Sequence, residues 1–249
     1  MLLKLNSSGV EVQNWNNFLI KEGYKINNIN IFDESTLEAT KAYQMKHGLI
    51  PDGIVGNITL EYANSSNNTT ITKIKSEKEL LLWIKQNLGK YINIAIKNTN
   101  YDEAWIGAIA CRETGFLILK YVNKGMKFDE IVKNMKGDFN NGIYHGYSFW
   151  QIDIRSFPDF INSGDWLDVQ KSANKCIDIL NSKVIALKHL FTQTFGNINF
   201  ERAITAAYNT GEENVKHSIS MNRDVDYTTF NHNYSIEVMR MRNIYKQLG

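Results

Sequence analysis

Residues 64–75 read NSSNNTTITKIK, a polar stretch with almost nothing to bury. Such a segment cannot sit inside a core, so it divides the chain into a short body, 1–63, and a longer one, 76–249. Ser76-Glu77-Lys78-Glu79 follows, ahead of the apolar run LLLWIKQNL. A Ser three residues before a Glu has the capping-box spacing, so the second body opens on a helix. The first body is too short for a large core and must rely on a few tightly packed elements.

Composition narrows the function classes. With 43% hydrophobic and 22% charged residues the chain is that of an ordinary folded protein. A net charge of +2, spread without long runs of one sign, gives no reason to expect a nucleic acid partner or a stable membrane association. The longest apolar stretch, Ala104 to Cys111, is far short of the roughly 20 residues a spanning helix needs. The first positions include Asn6, Ser7, Ser8, Glu11, Asn14, Asn16 and Asn17, so no apolar signal core is expected. Cys111 and Cys176 lie in apolar settings and read as small buried hydrophobes, not a disulfide framework. The histidines are scattered, and HExxH, CxxC and GxxxxGK[ST] patterns are missing. No metal and no cofactor is therefore expected.

In the first body, Val10, Val12, Trp15, Phe18 and Leu19 fall at helical spacing and stop at Gly23. Thr36, Leu37, Ala39, Thr40, Tyr43 and Gln44 form a second amphipathic segment running to Gly48. Pro51-Asp52-Gly53 predicts a tight turn, and Ile58, Leu60 and Tyr62 a last short helix. These residues resemble the three-helix peptidoglycan-binding domain found beside many cell-wall hydrolases. The resemblance rests on Ser8-Gly9-Val12-Gln13, Gly23-Tyr24, Ala42-Tyr43-Gln44, the segment HGLIPDGIVG at 47–56, and Thr59-Leu60. A generic three-helix module with another ligand is the alternative.

The second body reads as mostly helical. Ala104, Trp105, Ile106, Ala108, Ile109, Ala110 and Cys111 are apolar all round, so the helix from Asp102 to Arg112 is expected to be buried. It is expected to deliver Glu113 at its C-terminal end, before Thr114-Gly115. There the helix dipole and apolar surroundings would both push the carboxyl pKa upward, as a general acid requires. The alternative is a Glu in solvent or paired with a nearby cation. Lys136 to Gly142 reads as a polar turn, followed by Gly146-Tyr147-Ser148-Phe149-Trp150-Gln151-Ile152-Asp153. Gln151 among aromatics suggests an amide lining a cleft; Asp138 alone could form a turn, and Asp153 alone could cap a helix. Ala206 to Gly211 reads as a helix C-terminus with a packed Tyr208.

Together these segments closely resemble the goose-type lysozyme family, in the same order. Arg112-Glu113-Thr114 is similar to its catalytic-acid motif, and Gly137 to Gly142 to its GDxxNG turn. Gln151 to Ser156 is similar to QVDxRS, and Ala207-Tyr208-Asn209-Thr210-Gly211 with Asn214-Val215 to AYNAGxxNV. Ile143-Tyr144-His145-Gly146 is longer than the family pattern and is expected to lengthen a cleft loop.

The resemblance implies a mainly α fold: a three-helix peptidoglycan-binding domain at 1–63, a linker at 64–75, and a lysozyme-like domain at 76–249. It implies a muramidase cleaving the β-1,4 bond between N-acetylmuramic acid and N-acetylglucosamine. Glu113 would be the general acid, with Asp153 and Asp138 positioning or activating water across a gap of about 6.5–9.5 Å that gives inversion. Ser148, Gln151, Tyr208, Asn209 and Tyr234 would hold the sugar rings or the developing charge. The partner implied is peptidoglycan, met by a monomer made in the cytoplasm and released to the wall as a phage-type endolysin. Two alternatives stand beside it: a lytic transglycosylase forming 1,6-anhydro products, and a wall-binding protein that has lost its chemistry.

Overall fold

A computed structural model describes residues 2–46, 49–66 and 73–248. His47-Gly48, the linker positions 67–72 and the side chain of Tyr62 lie outside the described residues. The chain is mainly α and forms two compact units, Met1–Thr70 and Ile71–Gly249.

The first unit holds α1 (Val10–Lys21), α2 (Glu34–Lys46) and α3 (Asn57–Ser66), the last running into the stretch expected to be linker. Val12, Trp15, Phe18 and Leu19 bury one face of α1, while Val10 stays exposed. Trp15, Phe18 and Tyr43 meet with ring centroids 5.1–5.7 Å apart, Trp15 stacked on Phe18 and both edge-on to Tyr43, favourable geometries for aromatic packing. The turn predicted at Pro51-Asp52-Gly53 is organised by Gln44, which is buried. Its amide accepts from the Gly53 N–H at 2.9 Å and donates to Asp52 Oδ1 at 2.9 Å and to the Ile54 carbonyl at 3.0 Å. One side chain thus satisfies a loop that would otherwise leave buried polar groups unpaired. Leu3 and Val55 close the unit with a two-way backbone bridge.

The second unit begins with α4 (Glu77–Ala95), started by the expected capping box: Ser76 Oγ accepts from the Glu79 N–H and Glu79 Oε2 from the Ser76 N–H. Next come α5 (Glu103–Asn123), α6 (Phe128–Asn134), β1 (Lys136–Asn140), β2 (Ile143–Tyr147) and β3 (Ile152–Asp153). They are followed by α7 (Pro158–Asn162), α8 (Val169–Leu187), α9 (Ile198–Thr210), α10 (Glu212–Ser220) and α11 (Tyr234–Lys246). The apolar helix α5 is the axis, as its sequence requires. Trp105, Ile106, Ala108, Ile109 and Ala110 are fully enclosed, with α4 and α11 packed around them and Trp105 Nε1 donating to Thr205 of α9 at 3.0 Å. Each large apolar side chain so buried contributes about 1.5–3 kcal/mol. Asp102 caps α5 through the Trp105 N–H at 2.8 Å and holds the Arg242 guanidinium, which also reaches Glu201. That network ties α5, α9 and α11 at one end.

Two expectations need correction. The helix does not stop at Arg112 but continues to Asn123, so Glu113 lies in mid-helix. Gly115 is there for packing, not termination: a Cβ on it would come within 2.9 Å of Leu80 on α4. The stretch from Lys136 to Tyr147 is not a turn and a loop but an antiparallel hairpin, in which Asn140 pairs with Ile143. Asn141 and Gly142 both have positive φ, 50° and 85°, which is the type I′ turn whose twist matches the flanking strands. The residues Ile143 to Gly146 are therefore strand, and β3 pairs along their far edge.

Both cysteines are buried and free. Among the described residues no helix is long and apolar enough to cross a membrane, and no group of three or more His, Cys, Asp or Glu is placed to hold a metal ion.

Candidate active site

A cleft of about 810 Å³ opens between α5, the β1–β2 hairpin and the C-terminal end of α9. It gathers Glu113, Asp138, Gln151, Asp153, Tyr208, Asn209 and Tyr234 from segments more than a hundred residues apart. Ser148 is not among its walls. That residue is buried behind them, its N–H bonded to the Met135 carbonyl and its own carbonyl accepting from Gln151.

Glu113 forms part of the cleft floor. Burial pushes its carboxyl up to about 7, against the opposing pull of a hydrogen bond from Tyr234 and the charge of Arg112. The helix dipole has no part in this, because the residue sits in mid-helix. Its neighbour Thr114 fixes the register of the floor, its hydroxyl lying 3.0 Å from both the Ala110 carbonyl within α5 and the Phe149 carbonyl and sharing its one proton between them. Trp150 Nε1 donates to the Ile106 carbonyl at 3.2 Å, and the Tyr208 hydroxyl to the Trp150 carbonyl at 2.7 Å. The turn at 148–151 is thereby pinned between α5 and α9.

Gln151 stands at the end of that turn with φ 48°. Its side-chain amide lies against Gly137 and Gly146, which face each other across β1 and β2, and a Cβ on either would collide with it. The two glycines therefore make room for this amide. Asp153 pairs with Gly146 across β2 and β3. Arg155 grips it with Nε 3.1 Å from each oxygen, Nη2 2.7 Å from Oδ2 and its backbone N–H 2.7 Å from Oδ1. Burial works to raise the Asp153 carboxyl, but these bonds outweigh it and hold it below the usual aspartate value. Asp138 lies opposite His145 without a ladder pair, at φ 50° and exposed.

Tyr234 is the first residue of α11, and the helix start is held by Asp226. That carboxylate is fully buried and accepts from the Ser235 N–H at 2.8 Å, Ser235 Oγ at 2.7 Å and the Ile236 N–H at 3.2 Å. Asn209 Oδ1 accepts from the Phe230 N–H at 3.2 Å, which draws the loop before α11 over the cleft.

Sequence reasoning missed Arg112, His145, Arg155, Lys183 and Phe230 as cleft residues. Arg112 could have been found from its place beside Glu113, and Arg155 from its place in the QIDIRS stretch. Lys183 and Phe230 arrive only through tertiary packing. Arg112 stacks on Phe230 and Tyr234, 5.9 and 5.5 Å from their centroids. Lys183 is paired with Glu212 at 2.5 Å.

The site as built can donate a proton near neutral pH from a sheltered carboxyl, opposite a carboxylate kept ionised. Residues 8–62 match the family model of the peptidoglycan binding domain, in line with the segment at 47–56. An endolysin of the Burkholderia phage AP3, known from its crystal structure, aligns over 99% of this chain and 98% of its own at 16% identity. Its TM-score of 0.25 is too low to define a shared fold. No curated protein matches the chain.

Proposed function

We propose that the chain is a modular peptidoglycan hydrolase of the phage-endolysin type. The first unit holds the wall, and the second cuts the β-1,4 bond between N-acetylmuramic acid and N-acetylglucosamine. The observation that carries this reading is Glu113: a carboxyl raised to about 7 by burial, on the floor of a cleft shared with Asp138 and Asp153.

In this mechanism Glu113 gives its proton to the glycosidic oxygen as the bond to the anomeric carbon breaks. A water held by Asp153, with Asp138 beside it, forms the new bond from the opposite face and passes its proton to the carboxylate. The product is inverted. Gln151, Tyr208 and Asn209 line the path of the glycan strand. No metal or cofactor is required, and the acting species is a monomer released to the wall from the cytoplasm.

One observation favours a second reading. Arg155 occupies both oxygens of Asp153, and a carboxylate so held is a weak base. A lytic transglycosylase needs no such base, because the C6 hydroxyl of the muramic acid itself attacks the anomeric carbon. Mass spectrometry of the fragments released from purified sacculi separates the two. Hydrated reducing ends identify the hydrolase, and 1,6-anhydro ends, lighter by one water, the transglycosylase. Glu113→Gln should release neither. Sacculi left intact by the native chain would defeat both readings and leave a wall-binding protein.

A further inference from the structure

The β1–β2 hairpin carries two aromatic rings that the chemistry above does not use. Phe139 is 63% exposed and Tyr144 40% exposed, and their ring centroids are 4.9 Å apart. They are cross-strand partners in the ladder. Side chains two apart on a strand share a face, so Tyr144 projects to the same side as Gly146. That is the side on which Gln151 lies and to which Asp153, the partner of Gly146, belongs. The rings therefore extend the Gln151 face of the hairpin outward, two residues or roughly 7 Å of strand beyond Gly146, which with Asp138 and His145 is the hairpin's part of the cleft wall.

We infer that Phe139 and Tyr144 form a sugar-stacking subsite, which takes the pyranose ring next to the one over Gln151. A pyranose presents one face of axial C–H groups, and those positive edges suit the negative face of an aromatic ring. Continuity with the cleft selects this occupant. A polymer lying along Gln151 and Asp153 that leaves over the hairpin meets these two rings next. The Asn140-Asn141-Gly142 turn beyond them supplies polar groups for the hydroxyls at the ring's edge. Two rings at a hairpin tip that touch mainly each other otherwise gain little from folding, since much of their surface remains in water.

This inference rests on the glycan-cleaving assignment, and the test keeps the two apart. The binding of N-acetylglucosamine hexamer and dimer to the full-length native chain, Phe139→Ala/Tyr144→Ala and Phe139→Trp is measured by calorimetry, alongside cleavage of soluble peptidoglycan oligomers. The double variant should bind the hexamer about tenfold more weakly, with dimer affinity unchanged, and Phe139→Trp should bind it at least as well as the native chain. On long oligomers the double variant should show a raised KM and an unchanged kcat. Because both rings are exposed, the thermal midpoint should not move. Hexamer binding that depends on the rings, in a chain that cleaves nothing, would leave the subsite standing and overturn the hydrolase assignment. Native cleavage with hexamer affinity equal in all three proteins would overturn the subsite alone. So would absence of hexamer binding by the native chain, or concentration-dependent self-association lost in the double variant, which would make a second copy the occupant.

Discussion

The hydroxyl of Tyr234 donates its hydrogen bond to Oε1 of Glu113, joining the first residue of α11 to the middle of α5. The bond favours the ionised carboxylate and opposes the effect of burial. Its loss in Tyr234→Phe should therefore raise the Glu113 pKa above about 7. The alkaline limb of the rate profile on sacculi should move to higher pH. At the optimum kcat should fall about tenfold, because a hydrogen bond to a charged group is worth roughly 1.5–3 kcal/mol and also fixes the carboxyl. An alkaline limb that stays in place would detach Glu113 from the ionisation that limits the rate.

Stability should report the same carboxyl through a different observable. Glu113 has an ordinary value of 4.5 when unfolded and about 7 when folded. At low pH both states are protonated and the residue costs nothing. Above the folded value both are ionised, and only the folded state must shelter a charge. The stability associated with Glu113 thus falls as pH rises from 4.5 to about 7. Glu113→Gln keeps an acceptor for Tyr234 and removes this penalty. Its stability gain should be near zero at about pH 4 and grow to on the order of 3 kcal/mol at about pH 8. Thermal melts of both proteins across that range test this, and a difference flat in pH would contradict it.

The position of Glu113 was half legible in the sequence. Its burial followed from the unbroken apolar run before it. Its place in mid-helix did not, because Thr114-Gly115 reads locally as a stop and only the approach of Leu80 explains the glycine. The hairpin was missed for a related reason. Asn141-Gly142 is a strong turn signal, but Gly137 and Gly146 interrupt the alternation that would mark the strands. Those glycines answer to Gln151, which the local pattern does not reveal. Ser148 stood close to the right residues in sequence, and the tight turn that presents Gln151 buries it. In the first unit the opposite holds. Contacts such as Gln44 to Gly53 are short in sequence, and the motif that carries them is compact.

Asp226 should matter to catalysis without lining the cleft. It meets the first N–H groups of α11 and receives Thr229 Oγ1 at 3.1 Å and an Arg202 nitrogen at 3.3 Å. In Asp226→Asn the amide NH₂ would face those donors, leaving at least one buried group unpaired. The cost should be about 2–4 kcal/mol in denaturant unfolding. Displacement of Tyr234 should also lower kcat with little change in KM, and shift the alkaline limb as in Tyr234→Phe. A stability loss with kcat and the pH profile intact would show that Tyr234 is held by other contacts.

The two units should divide the work, because each has a core of its own. In the first unit Trp15, Phe18, Leu19, Phe32 and Tyr43 pack together, and the cleft is formed by residues 112–234. Tethering a wall-binding unit raises local concentration on an insoluble polymer, by up to about 10²–10⁴ in favourable geometry, and leaves the chemical step alone. The cut must respect Ile74, which is buried and makes two hydrogen bonds with Asn123, its N–H at 2.6 Å and its carbonyl at 2.9 Å. A truncation beginning at Lys73 keeps that anchor and should fold. It should clear sacculi more slowly than the full chain, yet cleave soluble oligomers at the same kcat and KM. The fragment 1–66 should sediment with sacculi and release nothing. If the truncation lost activity equally on both substrates while its melt stayed cooperative, the first unit would have to do more than tether, and the division of labour would be wrong.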